Sequence, residues 1–310
     1  MIMDKIRGFV GNPITQLVGF IFTIGGSFIS NIIFSERFWT ITLFIGGCVF
    51  GVFICLNIRK IYKNREIMSV YTDTLSQCAK KIANTKGLLR NSQIQSRSAL
   101  KPHLDGVCDT IRKGVETLYF LLSRKRCSFA VCIKEIITSE IYDGDPSKWS
   151  TLTIARACDN LDEREILDNT PQKVIENTSF YETITLKDVE LTPWTSRNLE
   201  KTKAKYKEAK KDYVNPDPRC LDFYKSTIVV PIKQKNDLVS QVIKELGETN
   251  SCGQVHYLGF LCIDSLETFN DKDKNFEVLV IFATVFAQLL YPFFEEYLVD
   301  KIQKVEEGKQ

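Results

Sequence analysis

Two uncharged apolar runs, Ile14–Phe34 and Phe38–Ile58, constrain this chain more than any other feature. Each is 21 residues long. At about 1.5 Å per residue, that suffices to cross a hydrocarbon layer of about 30 Å. Only Ser35, Glu36 and Arg37 separate them. The pair reads as a two-helix transmembrane hairpin occupying residues 1–58, after which the chain continues on the side where it began. Lys5 and Arg7 precede the first run, and Arg59, Lys60, Lys63 and Arg65 follow the second. That basic excess predicts a two-pass protein of the plasma (inner) membrane with both termini cytoplasmic. A cleaved signal peptide fits poorly, because the first run is long and a second follows at once. A three-residue turn leaves no room for an external ligand, so any signal is read from the cytosol or within the bilayer. Neither run holds an ionisable residue, which argues against proton or ion relay. Gly47 and Gly51 in the second run have the spacing that lets helices approach closely.

The roughly 250 residues that follow have the composition of an ordinary soluble polypeptide. A net charge of +3 favours no partner of one sign. No basic block interleaved with aromatics points to nucleic acid. The ten cysteines contain no C-x-x-C pair, and His103 and His256 are the two histidines. No metal site or cofactor is therefore expected, and in a reducing cytosol the thiols are expected free and mostly buried.

Residues 59–100 read as a helical connector. Ile61, Met68, Leu75, Ile82 and Leu89 recur every seven residues, which predicts a stalk pairing two chains in a parallel homodimer. A single amphipathic helix lying on its own domain has the same spacing. Asn91–Ser98 is polar and reads as a joint, and a new helix is expected after Pro102, reaching about Ser123. Residues 101–310 then form a cytoplasmic domain. Ser128–Ile137, Thr151–Ala157, Ser226–Ile232 and Val255–Asp264 have the β-branched and apolar content of strands. A long helix is expected from Asp271, capped by Asn270 or Asp271, to about Ile302. Helix, strands, a middle region, strands and helix make an α+β order with an antiparallel sheet.

The stretch Phe223-Tyr224-Lys225-Ser226-Thr227-Ile228-Val229-Val230-Pro231-Ile232 resembles the Y-x-S-x-x-x-x-P strand of GAF domains. Leu258-Gly259-Phe260-Leu261-Cys262-Ile263-Asp264-Ser265 is similar to their G-x-L-x-φ-D-S strand, with Phe269, Asp273 and an apolar helix after it. The resemblance covers Phe223 to Leu290 and, by element order alone, Pro102 to Ala157. It implies a sheet with helices on one face and, on the other, a small-ligand site under the middle segment. In this chain that segment is Leu161–Leu221, and Tyr181, Trp194, Arg197, Tyr206 and Arg219 are its candidate ligand-binding residues, suited to a nucleotide or an anionic metabolite. The Asn-Lys-x-x-Phe signature of cyclic-nucleotide-binding members is absent, which lowers cyclic nucleotides as ligands. Lys233–Gln254 is longer than the usual connection, and Leu238, Val239, Val242, Ile243 and Leu246 give it an amphipathic helix. Arg197–Asp212 is rich in lysine and reads as a solvated helix, or one that touches anionic lipid.

No P-loop, G-x-S-x-G, kinase or cyclase signature occurs, so no enzyme is expected. These readings lead to a membrane-anchored sensory or regulatory protein that binds a small cytosolic ligand or a protein partner and signals through stalk and hairpin. Two alternatives stand beside it. One is a membrane-perturbing effector, for instance in bacterial defence, gated by the domain. The other, implied by the family, is a free-methionine sulfoxide reductase, which needs reactive cysteines where Cys127, Cys132 and Cys262 read as core packing.

Overall fold

The computed structural model describes residues 36–91, 96–137, 145–159, 168–185, 193–235, 251–252 and 255–307. The first expected span, 14–34, and the helix expected around 238–246 lie outside the described residues, as does the Ser35 end of the hairpin turn. The chain divides into two units, Met1–Tyr62 and Lys63–Gln310. Helix α1, Glu36–Arg90, begins in the first. The second expected span falls inside it, and its described side chains Val52, Leu56 and Ile58 are exposed.

The second unit continues with α2 (Arg97–Ser123), β1 (Phe129–Ile137), β2 (Ser150–Ala157), β3 (Gln172–Lys173), α3 (Thr178–Thr185), β4 (Trp194–Ser196) and α4 (Leu199–Glu208). Then come α5 (Cys220–Phe223), β5 (Ser226–Lys235), β6 (Ser251–Cys252), β7 (Val255–Ser265) and α6 (Lys274–Glu307). The four strands expected from composition are β1, β2, β5 and β7. Two helix starts differ from expectation because a different residue supplies the cap. Ser96 Oγ accepts the Ala99 amide at 3.2 Å, so α2 begins before Pro102 and carries it in its second turn. Asp273 Oδ1 accepts the Asn275 amide at 2.9 Å and starts α6, while Asn270 closes the preceding turn onto the Lys272 amide.

The strands form an antiparallel sheet in the order β3-β2-β1-β7-β5-β4, with β6 also paired to β7. Both faces are covered. Val131, Ile133, Ile228, Val230, Leu261 and Ile263 face a core built with α2, α6 and the Lys63–Arg90 part of α1. Cys132, Ile136, Val229, Tyr257, Phe260 and Cys262 face a second core closed by Trp149, Phe180, Trp194 and Tyr224. The architecture is α+β with an antiparallel sheet, as the element order implies.

Within this unit the seven-residue seam is divided. Met68 is exposed, Leu75 is half-buried, and Ile82 and Leu89 are buried in the first core beside Cys78. Lys81 Nζ donates to the Gly106 carbonyl at 2.8 Å, and Glu296 of α6 pairs with Lys86 at 2.8 Å and Arg90 at 2.5 Å. Two of the seam residues predicted to pair two chains, Ile82 and Leu89, are thus used to seat α1 on its own domain, while Met68 stays exposed. Spacing could not separate the two because a seven-residue repeat also returns to one face of a straight helix within about 20°. Among the described residues of this unit, Lys274–Leu298 is a stretch long and apolar enough to cross a membrane. Half of that window is buried, with Leu279, Phe282, Phe286 and Leu290 in the first core, so it serves as the central core helix.

Two register shifts aim side chains. Between β5 and β7, Ile232 pairs with Gly259 and Lys233 with Tyr257, which leaves Leu258 as the extra residue. Between β1 and β2, Ile133 pairs with Ala155 and Lys134 with Thr153, which leaves Ile154 extra. Such bulges let residues three apart face the same side. A Cβ on Gly259 would sit 2.1 Å from the Lys134 carbonyl oxygen, so the backbones meet where only hydrogen fits. A Cβ on Gly114 would meet Thr74 Cγ2 at 2.5 Å and Phe282 Cζ at 3.1 Å, at the crossing of α1, α2 and α6. We expect Gly259→Ala to destabilise by about 3 kcal/mol or more, the upper range for overpacking, and Gly114→Ala by about 1–3 kcal/mol. Denaturant midpoints of the two variants, measured side by side, check both the sign and the order.

Candidate functional site

Charged residues enter the second core from strands otherwise made for burial. Lys134 lies in β1 and Arg156 in β2, and both are buried. A buried charge is costly unless paired. Arg156 answers with two bonds to Asp168, Nε to Oδ2 at 2.6 Å and Nη2 to Oδ1 at 2.7 Å. Burial alone would raise the Asp168 carboxyl, but the hydrogen bonds and charge of Arg156 outweigh it and hold the group below its ordinary value. The pair ties the segment leading into β3 down onto the sheet.

Lys134 is held differently. Its Nζ donates to Thr153 Oγ1 at 3.0 Å and Gln172 Oε1 at 3.4 Å, and stands 5.7 Å from the centre of the Phe180 ring. Among the described residues no carboxylate pairs with it. Across the same cavity, Asp217 is 5% exposed. One of its oxygens accepts the Arg219 amide at 2.9 Å, while Oδ2 is buried with no hydrogen-bond partner among the described residues. Asp264 accepts Thr227 Oγ1 at 2.6 Å, and Asn215 donates to the Tyr224 hydroxyl at 2.8 Å.

These groups line a cavity of about 40 Å³ between the sheet, α3 and the segment before α5. That volume holds about three or four waters at roughly 10–15 Å³ each. Lys134, Arg156, Asp168, Asp217 and Asp264 give it both signs of charge, and Cys132 and Cys262 line it too. A second cavity, of about 80 Å³, lies toward the other end of the sheet and also has Arg156 and Asp264 in its wall. Cys132 differs from the other buried thiols. The neighbouring Cys262 thiol, with the nearby charges of Arg156 and Lys134, outweighs burial and holds it below the ordinary thiol value. The Cys132 neighbour and burial push Cys262 up. Burial raises Cys78 to about 12 and Cys127 to about 11.

The five residues singled out from sequence fall elsewhere. Trp194 is buried and donates Nε1 to Glu182 Oε2 at 3.0 Å, and the Tyr206 hydroxyl donates to the same oxygen. Tyr213 joins them, 6.2 Å from Trp194 and 5.7 Å from Tyr206 between ring centres. Tyr181 is half-buried at the edge of the same core. Arg197 binds the Asn270 and Asp271 carbonyls and Glu277, and its guanidinium lies 5.1 Å from the Phe276 ring, so it fastens the start of α6. Arg219 covers the Phe223 ring at 5.4 Å. The structure brings Trp194 and Tyr206 together through Glu182, and none of the five lines the cavity. The residues that do were marked in the sequence by charge inside apolar strands, Lys134 in FAVCIKEII and Arg156 in TLTIARA. Asp168 and Asp217 lie outside the strands, with no spacing to betray them.

No family model matches this chain, and no curated protein matches it. Among solved structures it is similar to the GAF domain of an Acinetobacter phosphoenolpyruvate-protein phosphotransferase, at 12% identity over 72% of this chain and 91% of that one, with a TM-score of 0.36. It is also similar to NpR6012g4, a red/green cyanobacteriochrome in its red-light-absorbing state, at 12% identity over 61% of this chain and 96% of that one, TM-score 0.32. A third is the bacteriophytochrome RpBphP3 of R. palustris, at 10% identity over 73% and 38%, TM-score 0.28. These likenesses are weak, and the fold described above stands on this chain's own strand pairings.

Removing Asp168 strands Arg156 in the interior. Asp168→Ala is expected to cost about 3–5 kcal/mol, as for other broken buried pairs. The folded-state carboxyl is held low, so the pair's contribution is fully present above the unfolded value of about 3.9 and is lost as pH falls below it toward the folded value. Unfolding free energies of the parent and variant between pH 7 and pH 3 should therefore converge at the acid end.

Proposed function

We propose that this chain is a membrane-anchored, non-enzymatic regulatory protein whose GAF-like domain senses a small polar cytosolic ligand in the cavity between Lys134 and Asp217. The observation that carries the reading is a pair of buried groups that, among the described residues, keep bonding capacity: an ammonium hydrogen-bonded to neutral oxygens and a carboxylate oxygen with no donor. A ligand offering an acceptor to one and a donor to the other completes both. The family part of the proposal is supported by the motif runs in Phe223–Ile232 and Leu258–Ser265 and by the antiparallel order of β1, β7 and β5. The anchor is supported by the two uncharged runs and by exposed Val52, Leu56 and Ile58. Inner-membrane location with both termini cytoplasmic follows from the basic flanks. A homodimer belongs to the same proposal, with its contact outside the seam residues that the domain itself buries.

The ligand part is tested by a thermal-shift screen of small polar metabolites on the detergent-solubilised full chain. A ligand at one hundred times its Kd stabilises by about 2.7 kcal/mol, a shift of several degrees. Lys134→Met and Asp217→Asn are each expected to keep the fold and abolish that shift. A screen without a hit, or a hit indifferent to both substitutions, removes the sensor reading. Dye leakage from cells at high expression would move the weight to the effector reading.

The anchor is tested separately. The full chain is expected to stay in the membrane pellet through alkaline carbonate extraction, and a chain lacking residues 14–58 to be released. Release of the full chain contradicts the hairpin.

A further inference from the structure

We propose that Cys132 and Cys262 are a redox pair, closed to a disulfide between β1 and β7 by a hydroperoxide small enough to enter the cavity. Cys132 and Cys262 stand directly opposite each other in the β1–β7 register. Opposed Cα atoms in antiparallel strands are about 4.5 or 5.5 Å apart. Both separations fall inside the span of about 4.4–6.8 Å that disulfides bridge. The two thiols are free, share the face of Phe260 and Val229, and line the same cavity. Cys127, also buried, lies just before β1 and meets Ser265 Oγ at 3.0 Å rather than a cysteine.

The surroundings favour one thiol as nucleophile. Cys132 lies opposite Cys262 and close to the positive charges of Lys134 on its own strand and Arg156 on β2, which favour its thiolate. Asp264 of β7 opposes ionisation, and Asp168 and Asp217, also in the cavity wall, carry the remaining charges. A thiolate held by cations is the reactive form. A cavity of about 40 Å³ admits hydrogen peroxide and excludes bulky reagents.

The chemistry balances without another reactant. The Cys132 thiolate attacks one peroxide oxygen, an S–O bond forms and the O–O bond breaks. The departing oxygen takes up the proton that Cys132 released and leaves as water or an alcohol. Cys262 then attacks the sulfenic sulfur, the S–S bond forms, the S–O bond breaks, and the hydroxide leaves as water with the Cys262 proton. Two thiols and one hydroperoxide give one disulfide, one alcohol or water, and one water. A small dithiol reverses the change by exchange. The reaction is stoichiometric and goes beyond the ligand reading. It needs the cavity but no ligand.

The test uses the reduced, detergent-solubilised full chain, treated with hydrogen peroxide at neutral pH and digested without reductant for mass spectrometry. The expected product is a Cys132–Cys262 linked peptide pair, formed at least tenfold faster than oxidation of Cys127 or Cys220. Cys262→Ser is expected to leave a sulfenic acid on Cys132 that dimedone traps, and Cys132→Ser to leave Cys262 unreacted. tert-Butyl hydroperoxide is expected to act more slowly than hydrogen peroxide. No linked pair in the parent chain overturns the proposal whatever the variants do. So does a linked pair that forms only in urea, or oxidation at a rate common to all the thiols.

Discussion

The second core depends on one buried ion pair, Arg156 with Asp168. A guanidinium brought in by a strand otherwise rich in small and apolar residues has to be answered there, and a bidentate carboxylate from outside the sheet answers it. That bond holds the segment before β3 against the sheet and sets one wall of the cavity. Gln172, at the start of β3, then reaches Lys134. The polar groups of the site are thus placed by a chain of contacts that begins with Arg156.

The sheet supplies the other half of the geometry. A regular strand presents every second side chain to a face, which would split Thr153 from Arg156 and Tyr257 from Phe260. The extra residues Ile154 and Leu258 reset the alternation, and each pair faces the second core. Gly259 makes the β7 irregularity feasible by leaving room for the Lys134 carbonyl. The same backbone approach fixes the β1–β7 register that sets Cys132 against Cys262. Packing, the cavity and the thiol pair therefore share one structural cause.

Much of the fold was legible in the sequence because burial writes it there. The β-branched runs gave β1, β2, β5 and β7 to within a few residues, and the apolar periodicity gave α2 and α6. Helix starts were displaced where several residues competed to cap, as at Ser96 and Asp273. The fate of the connector was hidden because seven-residue spacing suits either a partner chain or the domain's own surface. The site was less legible. Aromatics in the middle segment looked like ligand contacts, yet Trp194 and Tyr206 donate to one Glu182 oxygen and Tyr213 packs its ring against both. Lys134 and Arg156 were visible as charges inside strands, but their partners and the opposition of the cysteines arise from strand register and from residues far apart in the sequence.

The site's central property is that Lys134 and Asp217 are buried with bonding capacity unspent. The most direct measurement is an experimental structure of the full chain purified from its native host, examined between those two side chains. The sensor reading predicts continuous non-protein density within hydrogen-bond distance of Lys134 Nζ and Asp217 Oδ2. Ordered water alone at both atoms, or a direct Lys134–Asp217 ion pair closing the cavity, would contradict it.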